Sequence, residues 1–206
     1  MKWTMSVALA CFISMFLYFP VALAQEEIEV TDIEVGSGRP YQVGDGGLEI
    51  GTTYYTDRAY VVNTMPEELE GATWIMTAND DKQSQGEDFL KFNVDPKANR
   101  LVVVWVARDS RGSQEKGGMT PEWLSEDNGW EKHPDMIMEV TDTNMGHFIF
   151  WSKEFEKGEI VLGGNADPPA AGQDSNYIVL LTLGEDLAVE PTGKLSTTWA
   201  GLKSER

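Results

Sequence analysis

The sequence predicts an all-β protein, a jelly-roll-like sandwich of about eight strands. Two observations carry that prediction. Short apolar runs recur along the chain, each bounded by Gly, Asn, Asp or Pro, which is the texture of strands joined by turns. No stretch repeats apolar residues at helical spacing over three turns. Frequent turns between short strands fit two packed sheets, and no 20–50-residue repeat points to a solenoid or propeller.

The chain opens with an export pattern. Lys2 is followed by an apolar stretch over 7–23, and Ala22-Leu23-Ala24 has the small side chains that signal peptidase requires. Pro20 and the short apolar run argue against a membrane span of ~20 residues. Residues 1–24 are therefore expected to be removed and the product secreted. Cys11 is the only cysteine and lies inside this segment, which excludes a disulfide framework, a thiol enzyme and a cysteine-zinc site downstream.

Residues 25–48 are rich in Glu, Gly and Asp and read as a loosely attached leader. Ile28 to Val35 contains material for one short edge strand. From residue 49 to 183 the texture is that of the sandwich. The segment 54–62 is rich in β-formers, and 72–77 follows the Gly71 turn. Glu67 to Glu70 has room for one helical turn. Leu90, Phe92 and Val94 alternate with Lys91 and Asn93, the period of a half-buried strand. The run 101–107 is apolar throughout and predicts a central strand covered on both faces, with Trp105 in the core. Segments 136–140, 147–151, 159–162 and 177–183 complete the set, and Tyr177, Val179, Leu181 and Leu183 share one face.

Residues 108–135 read as one long polar loop holding Trp123 and Trp130, and loops of that length are functional or disordered. Residues 184–206 read as a tail, neutral to basic at its end, with Trp199 and Leu202 as contacts for a protein partner if it docks.

The formal net charge of −18 argues against nucleic acid and anionic membranes, both of which demand clustered Lys and Arg. It is compatible with divalent cations. Thr77-Ala78-Asn79-Asp80-Asp81-Lys82 places three oxygen-bearing side chains in a turn at a strand end. Asn79, Asp80 and Asp81 are the candidate ligands for Ca²⁺ as a structural ion, and an Asx turn satisfying its own backbone is the competing reading. Asn79 is also a candidate for hydrogen-bonding sugar hydroxyls. Trp123 and Trp130 are the candidate stacking platforms for a sugar ring, and Trp130, among Asn128, Gly129 and Glu131, has the most polar neighbours and the best case for exposure. Asp109 with Arg111, and Arg58 after Asp57, are ion pairs placed to shape a binding loop. The chain shows no HExxH, GxSxG or phosphate-loop motif, and its His133 and His147 fall in different segments.

Several strings together resemble a known module. They are Tyr55-Thr56-Asp57-Arg58, Leu69-Glu70-Gly71-Ala72-Thr73-Trp74-Ile75, Thr77-Ala78-Asn79-Asp80-Asp81-Lys82, Phe89-Leu90-Lys91-Phe92, Val104-Trp105-Val106-Ala107-Arg108-Asp109-Ser110-Arg111, Pro121-Glu122-Trp123-Leu124 and Gly158 to Asn165. Over 49–183 the chain resembles the β-sandwich accessory modules, of carbohydrate-binding type, found in secreted bacterial polysaccharide-degrading enzymes and surface proteins. The resemblance implies a non-catalytic protein that binds a polysaccharide or cell-surface glycan. It carries no binding residue over to this chain. A structural or adhesive surface protein, and a small polysaccharide lyase or hydrolase, remain the alternatives.

Overall fold

The computed structural model describes residues 28–113, 120–171 and 174–187. The expected signal peptide and most of the expected tail, with Trp199 and Leu202, lie outside the described residues. Ten strands are present among them: β1 (Glu29–Val35), β2 (Gln42–Val43), β3 (Val62–Thr64), β4 (Thr73–Met76), β5 (Leu90–Asp95), β6 (Arg100–Asp109), β7 (Glu131–Val140), β8 (Phe148–Phe155), β9 (Gly158–Leu162) and β10 (Ile178–Asp186). They form two antiparallel sheets. One has three strands in the order β1-β5-β9, the other seven in the order β2-β4-β10-β6-β8-β7-β3. The only helical pieces among the described residues are single 3-10 turns, one of them over Glu67–Leu69 where a helical turn was expected.

Alternation decides which side chains face the partner sheet. Leu90, Phe92 and Val94 of β5 and Ile160 and Leu162 of β9 meet Val102, Val104 and Val106 of β6 and Tyr177, Val179 and Leu181 beside or on β10. This is the core between the sheets, and each such side chain contributes about 1.5–3 kcal/mol by leaving water. The large sheet buries its other face as well. Leu48, Tyr54, Tyr55, Leu69 and Ala72, from the segment before β4, cover Trp74, Ala107, Phe148, Phe150, Ile178 and Leu180.

Within the expected leader, residues 28–48 are more firmly built in than their composition suggests. β1 pairs with β5 from Glu29↔Asp95 to Val35↔Leu90, with a bulge at Asp32, whose φ is +53°. Val30, Ile33 and Val35 pack onto the inter-sheet core. Gly44 donates its N–H to Trp74 O, and any Cβ there would sit 1.9 Å from the Trp74 ring. Its glycines serve close approach as well as turning.

Two other expectations change. Residues 54–62 do not form a strand: only the bridges Thr53↔Val61 and Tyr55↔Thr77 occur before β3. The aromatic content that suggests a strand instead anchors a cover over the second core, because β-formers report packing more than backbone preference. In β6, Leu101, Val103 and Trp105 are only half-buried while Val102, Val104 and Val106 are fully buried. The strand is covered on both faces only toward its end, where Ala107, Arg108 and Asp109 are all buried.

Candidate functional site

The polar string after β4 builds one end of the sandwich from inside. Asp57 accepts the N–H groups of Asn79 (2.8 Å) and Asp80 (2.9 Å), capping the 3-10 turn Asn79–Asp81 with both carboxylate oxygens. Asn79 is buried, and its Oδ1 accepts the Asn176 N–H at 3.1 Å. Asp81, also buried, accepts from Ser37 Oγ (2.8 Å), Arg39 Nε (3.1 Å) and Tyr41 OH (3.0 Å). Asp80 is paired with Arg58, and that hydrogen bond holds its carboxyl below the usual range while raising the guanidinium. Burial pushes the Tyr41 and Tyr177 hydroxyls well above the ordinary tyrosine range.

The structure thus gives Asn79, Asp80, Asp81 and Arg58 structural partners. The oxygens expected to face a cation are engaged by protein donors, two of them arginines. Among the described residues no group of three or more His, Cys, Asp or Glu is arranged to hold a metal ion.

Asp109 and Arg111 do form the expected ion pair. Arg111 Nη2 lies 2.6 Å from Asp109 Oδ2, Nε is 3.1 Å from Oδ1, and Nη2 also reaches Ser175 Oγ at 3.1 Å. Asp109 is fully buried, so the pair stitches the end of β6 to the segment before β10 rather than presenting a free charge. Beside it, Arg108 is buried with its guanidinium donating to the Asn165 side chain and carbonyl (3.4 and 3.3 Å), and burial pulls its pKa down to about 10.

The two candidate tryptophans come together, with a correction. Trp130 is 4% exposed, not the exposed ring its neighbours suggest. Gly129, at φ +79°, ends the 3-10 turn Glu126–Asn128 and swings the chain into β7, which directs Trp130 into the inter-sheet core. There it meets Trp123 edge-on at 5.9 Å and Phe155 at 6.1 Å. Trp123 remains half-buried. Its ring also stands edge-on to Tyr177 at 5.8 Å, and its Nε1 donates to Gly164 O at 2.9 Å.

Local sequence explains the seat of Trp123. Pro121 precedes the turn Glu122–Leu124, and Leu124 is fully buried as its plug. Gly163 leaves space for the indole: a Cβ there would lie 2.3 Å from Trp123 Cδ1 and 2.8 Å from Asp167 Oδ2. Asp167 is itself held by the N–H groups of Gly86 (2.7 Å) and Gly164 (2.9 Å).

Trp123 lines a groove of about 620 Å³ together with Gly86, Glu87, Glu122, Asn128, Asp167 and Pro168. Glu87, Glu122 and Asn128 are exposed. Asn128 Nδ2 donates to Glu122 O at 2.8 Å and so fixes the groove's wall. The arrangement offers an indole set among hydrogen-bonding groups that remain open to solvent. Sequence reasoning singled out Trp123 but not Glu87, Glu122, Asn128 or Gly163. Glu122 lies next to Trp123 in the chain, whereas Glu87 and Gly163 reach it only through the fold.

No protein-family model matches the sequence, and no curated protein matches it. Among solved structures, the chain is similar to part of a β-glucuronidase from glycoside hydrolase family 2, with a TM-score of 0.59 and 20% identity over 73% of this chain and 14% of that one. A GH138 enzyme targeting pectin rhamnogalacturonan II aligns with a TM-score of 0.45 and 12% identity over 78% of this chain and 17% of that one. The chain spans a small fraction of either enzyme, and at this identity the first likeness shows a shared fold.

Proposed function

We propose that the chain is a secreted, non-catalytic β-sandwich that binds a glycan in the groove at Trp123. The observation that carries this reading is the groove itself: an indole pinned by its Nε1 and two edge-on aromatic neighbours, bordered by the open side chains of Glu87, Glu122 and Asn128. A sugar ring presents C–H groups to an indole, and its hydroxyls both donate and accept, so carboxylates and an amide around a ring are suitable partners. Asp167 is committed to two backbone donors and so shapes the groove rather than reaching into it. The fold's likeness to part of a β-glucuronidase supports the carbohydrate reading.

A glycan array of plant, algal and bacterial polysaccharides tests it. Retention is expected, and it should weaken in Glu122→Gln and Glu87→Gln, whose exposed side chains leave the core untouched. Absence of retention by folded protein on every glycan refutes the reading.

A further inference from the structure

We propose that the open half of the seven-stranded sheet carries a second binding strip, built on Trp105 and His133, that takes a neutral polysaccharide chain. The proposal rests on the glycan-binding reading above and extends it to a site separate from Trp123.

The strip follows from register and incomplete cover. Trp105 of β6 stands opposite Ser152 of β8, and Ser152 opposite Glu131 of β7; one step along, Val103 stands opposite Glu154. Alternation puts Val103 and Trp105 on the face away from the three-stranded sheet. The segment 48–72 covers that face near Ala107, Phe150 and Leu180. Along β6 the cover gives out, leaving Leu101, Val103 and Trp105 half-buried, with Glu131 and Glu154 exposed.

The aromatic surface is held in place. Trp105 Nε1 donates to Thr182 Oγ1 at 2.9 Å, on the neighbouring strand β10. The His133 ring lies 5.1 Å from the indole, tilted by 47°, and its Nε2 is 2.7 Å from Ser152 Oγ. Alongside runs a groove of about 440 Å³ lined by Val103, Gly129, Glu131, Ser152, Lys153 and Glu154. Two adjacent rings with fixed orientation, next to the exposed carboxylates of Glu131 and Glu154, suit the alternating C–H and O–H surfaces of a sugar chain.

Charge selects the occupant. Among the described residues, the strip's exposed acidic groups are the carboxylates of Glu131 and Glu154. Lys132 Nζ lies 5.3 Å above the Trp151 ring, and Lys153, which lines the groove, has its Nζ committed to Asn128 O at 2.8 Å and to the Phe155 ring, so the two carboxylates outnumber the one lysine of the groove. A uronate or sulfated polymer would meet like charge, and so would a second copy of this chain, at a formal −18. A neutral polysaccharide meets no such penalty.

Native affinity electrophoresis separates the outcomes. The full chain is run through gels containing galactomannan, xyloglucan or polygalacturonate, with Trp105→Ala, His133→Ala, Trp123→Ala and the Trp105/Trp123 double variant alongside. The expected result is retardation by a neutral polymer and none by polygalacturonate. Trp105→Ala and His133→Ala should each weaken retention up to about tenfold, and the double variant should lose the product of the two single losses. His133→Ala removes a half-buried ring outside both cores, so it decides the matter if Trp105→Ala melts early. Retention unchanged by both strip variants but lost in Trp123→Ala overturns the second site and leaves the first standing. Stronger retention by polygalacturonate, or a change of oligomeric state in Trp105→Ala on size-exclusion chromatography without loss of retention, also overturns the strip. An unaltered protein that neither neutral polymer retards overturns the strip, while the Trp123 reading stands or falls on the glycan array.

Discussion

Gly163→Ala is the sharpest perturbation of the Trp123 seat. The added methyl would lie 2.3 Å from Trp123 Cδ1, 2.6 Å from Nε1 and 2.8 Å from Asp167 Oδ2. Contacts under 3 Å cannot persist, and none of these three atoms belongs to a free side chain. The indole is clamped between Trp130 and Tyr177, and Asp167 is clamped by Gly86 and Gly164. Overpacking of this kind costs about 1–3 kcal/mol. Displacing the ring also stretches the Trp123–Gly164 hydrogen bond, worth roughly 0.5–1.5 kcal/mol. The expected destabilisation is therefore about 2–4 kcal/mol, a fall in Tm of about 5–15 °C for a domain of this size. Urea unfolding at constant m measures it, with glycan retention followed on the same sample at a temperature where both proteins are folded. Retention should fall toward that of Trp123→Ala, because the platform has moved. A Gly163→Ala protein with unchanged midpoint and unchanged retention refutes the argument that Gly163 seats the indole.

Three further outcomes follow from the same contacts. Asp57→Ala strips the acceptor from the Asn79 and Asp80 N–H groups, and the buried Asn79 donor alone makes this a loss of about 1–3 kcal/mol in denaturant unfolding. EDTA should leave the melting temperature unchanged, because Asn79, Asp80 and Asp81 are already satisfied by protein donors; a clear fall would show that an ion is held after all. Alkaline stability should collapse with tyrosine ionisation. Burial raises the pKa of Tyr41, Tyr54, Tyr55 and Tyr177 in the folded state. Their contribution is complete below the unfolded value near 10 and is lost as pH rises beyond it, at about 1.4 kcal/mol per pH unit for each ring. Tyrosinate absorbance should therefore appear together with unfolding; a smooth titration of these rings in folded protein would contradict their burial.

Strands with a clean period of two were legible in the sequence. Leu90, Phe92 and Val94, and Tyr177, Val179 and Leu181, face the inter-sheet core as their spacing implies. What failed was reading exposure from near neighbours. Trp130 has polar residues on both sides, yet a left-handed glycine turns it inward; Trp105 sits in an apolar run, yet its face lies partly beyond the reach of the covering segment. Exposure is set by what covers a face, and here the cover comes from residues 48–72, far off in the chain. The 54–62 segment misled for the same reason, since its tyrosines are the cover. At the candidate site Trp123 was legible from its loop. Glu87 and Gly163 were not, because β5 and β9 must pair before the segments next to them meet the loop.

The most direct test of the central claim is where a bound sugar sits. Crystals grown with an oligosaccharide taken from a retained glycan would show it. The account predicts a sugar ring within about 4 Å of the Trp123 indole, with hydroxyls bonded to Glu87, Glu122 or Asn128. A sugar bound elsewhere with this groove empty, at saturating oligosaccharide, would contradict it.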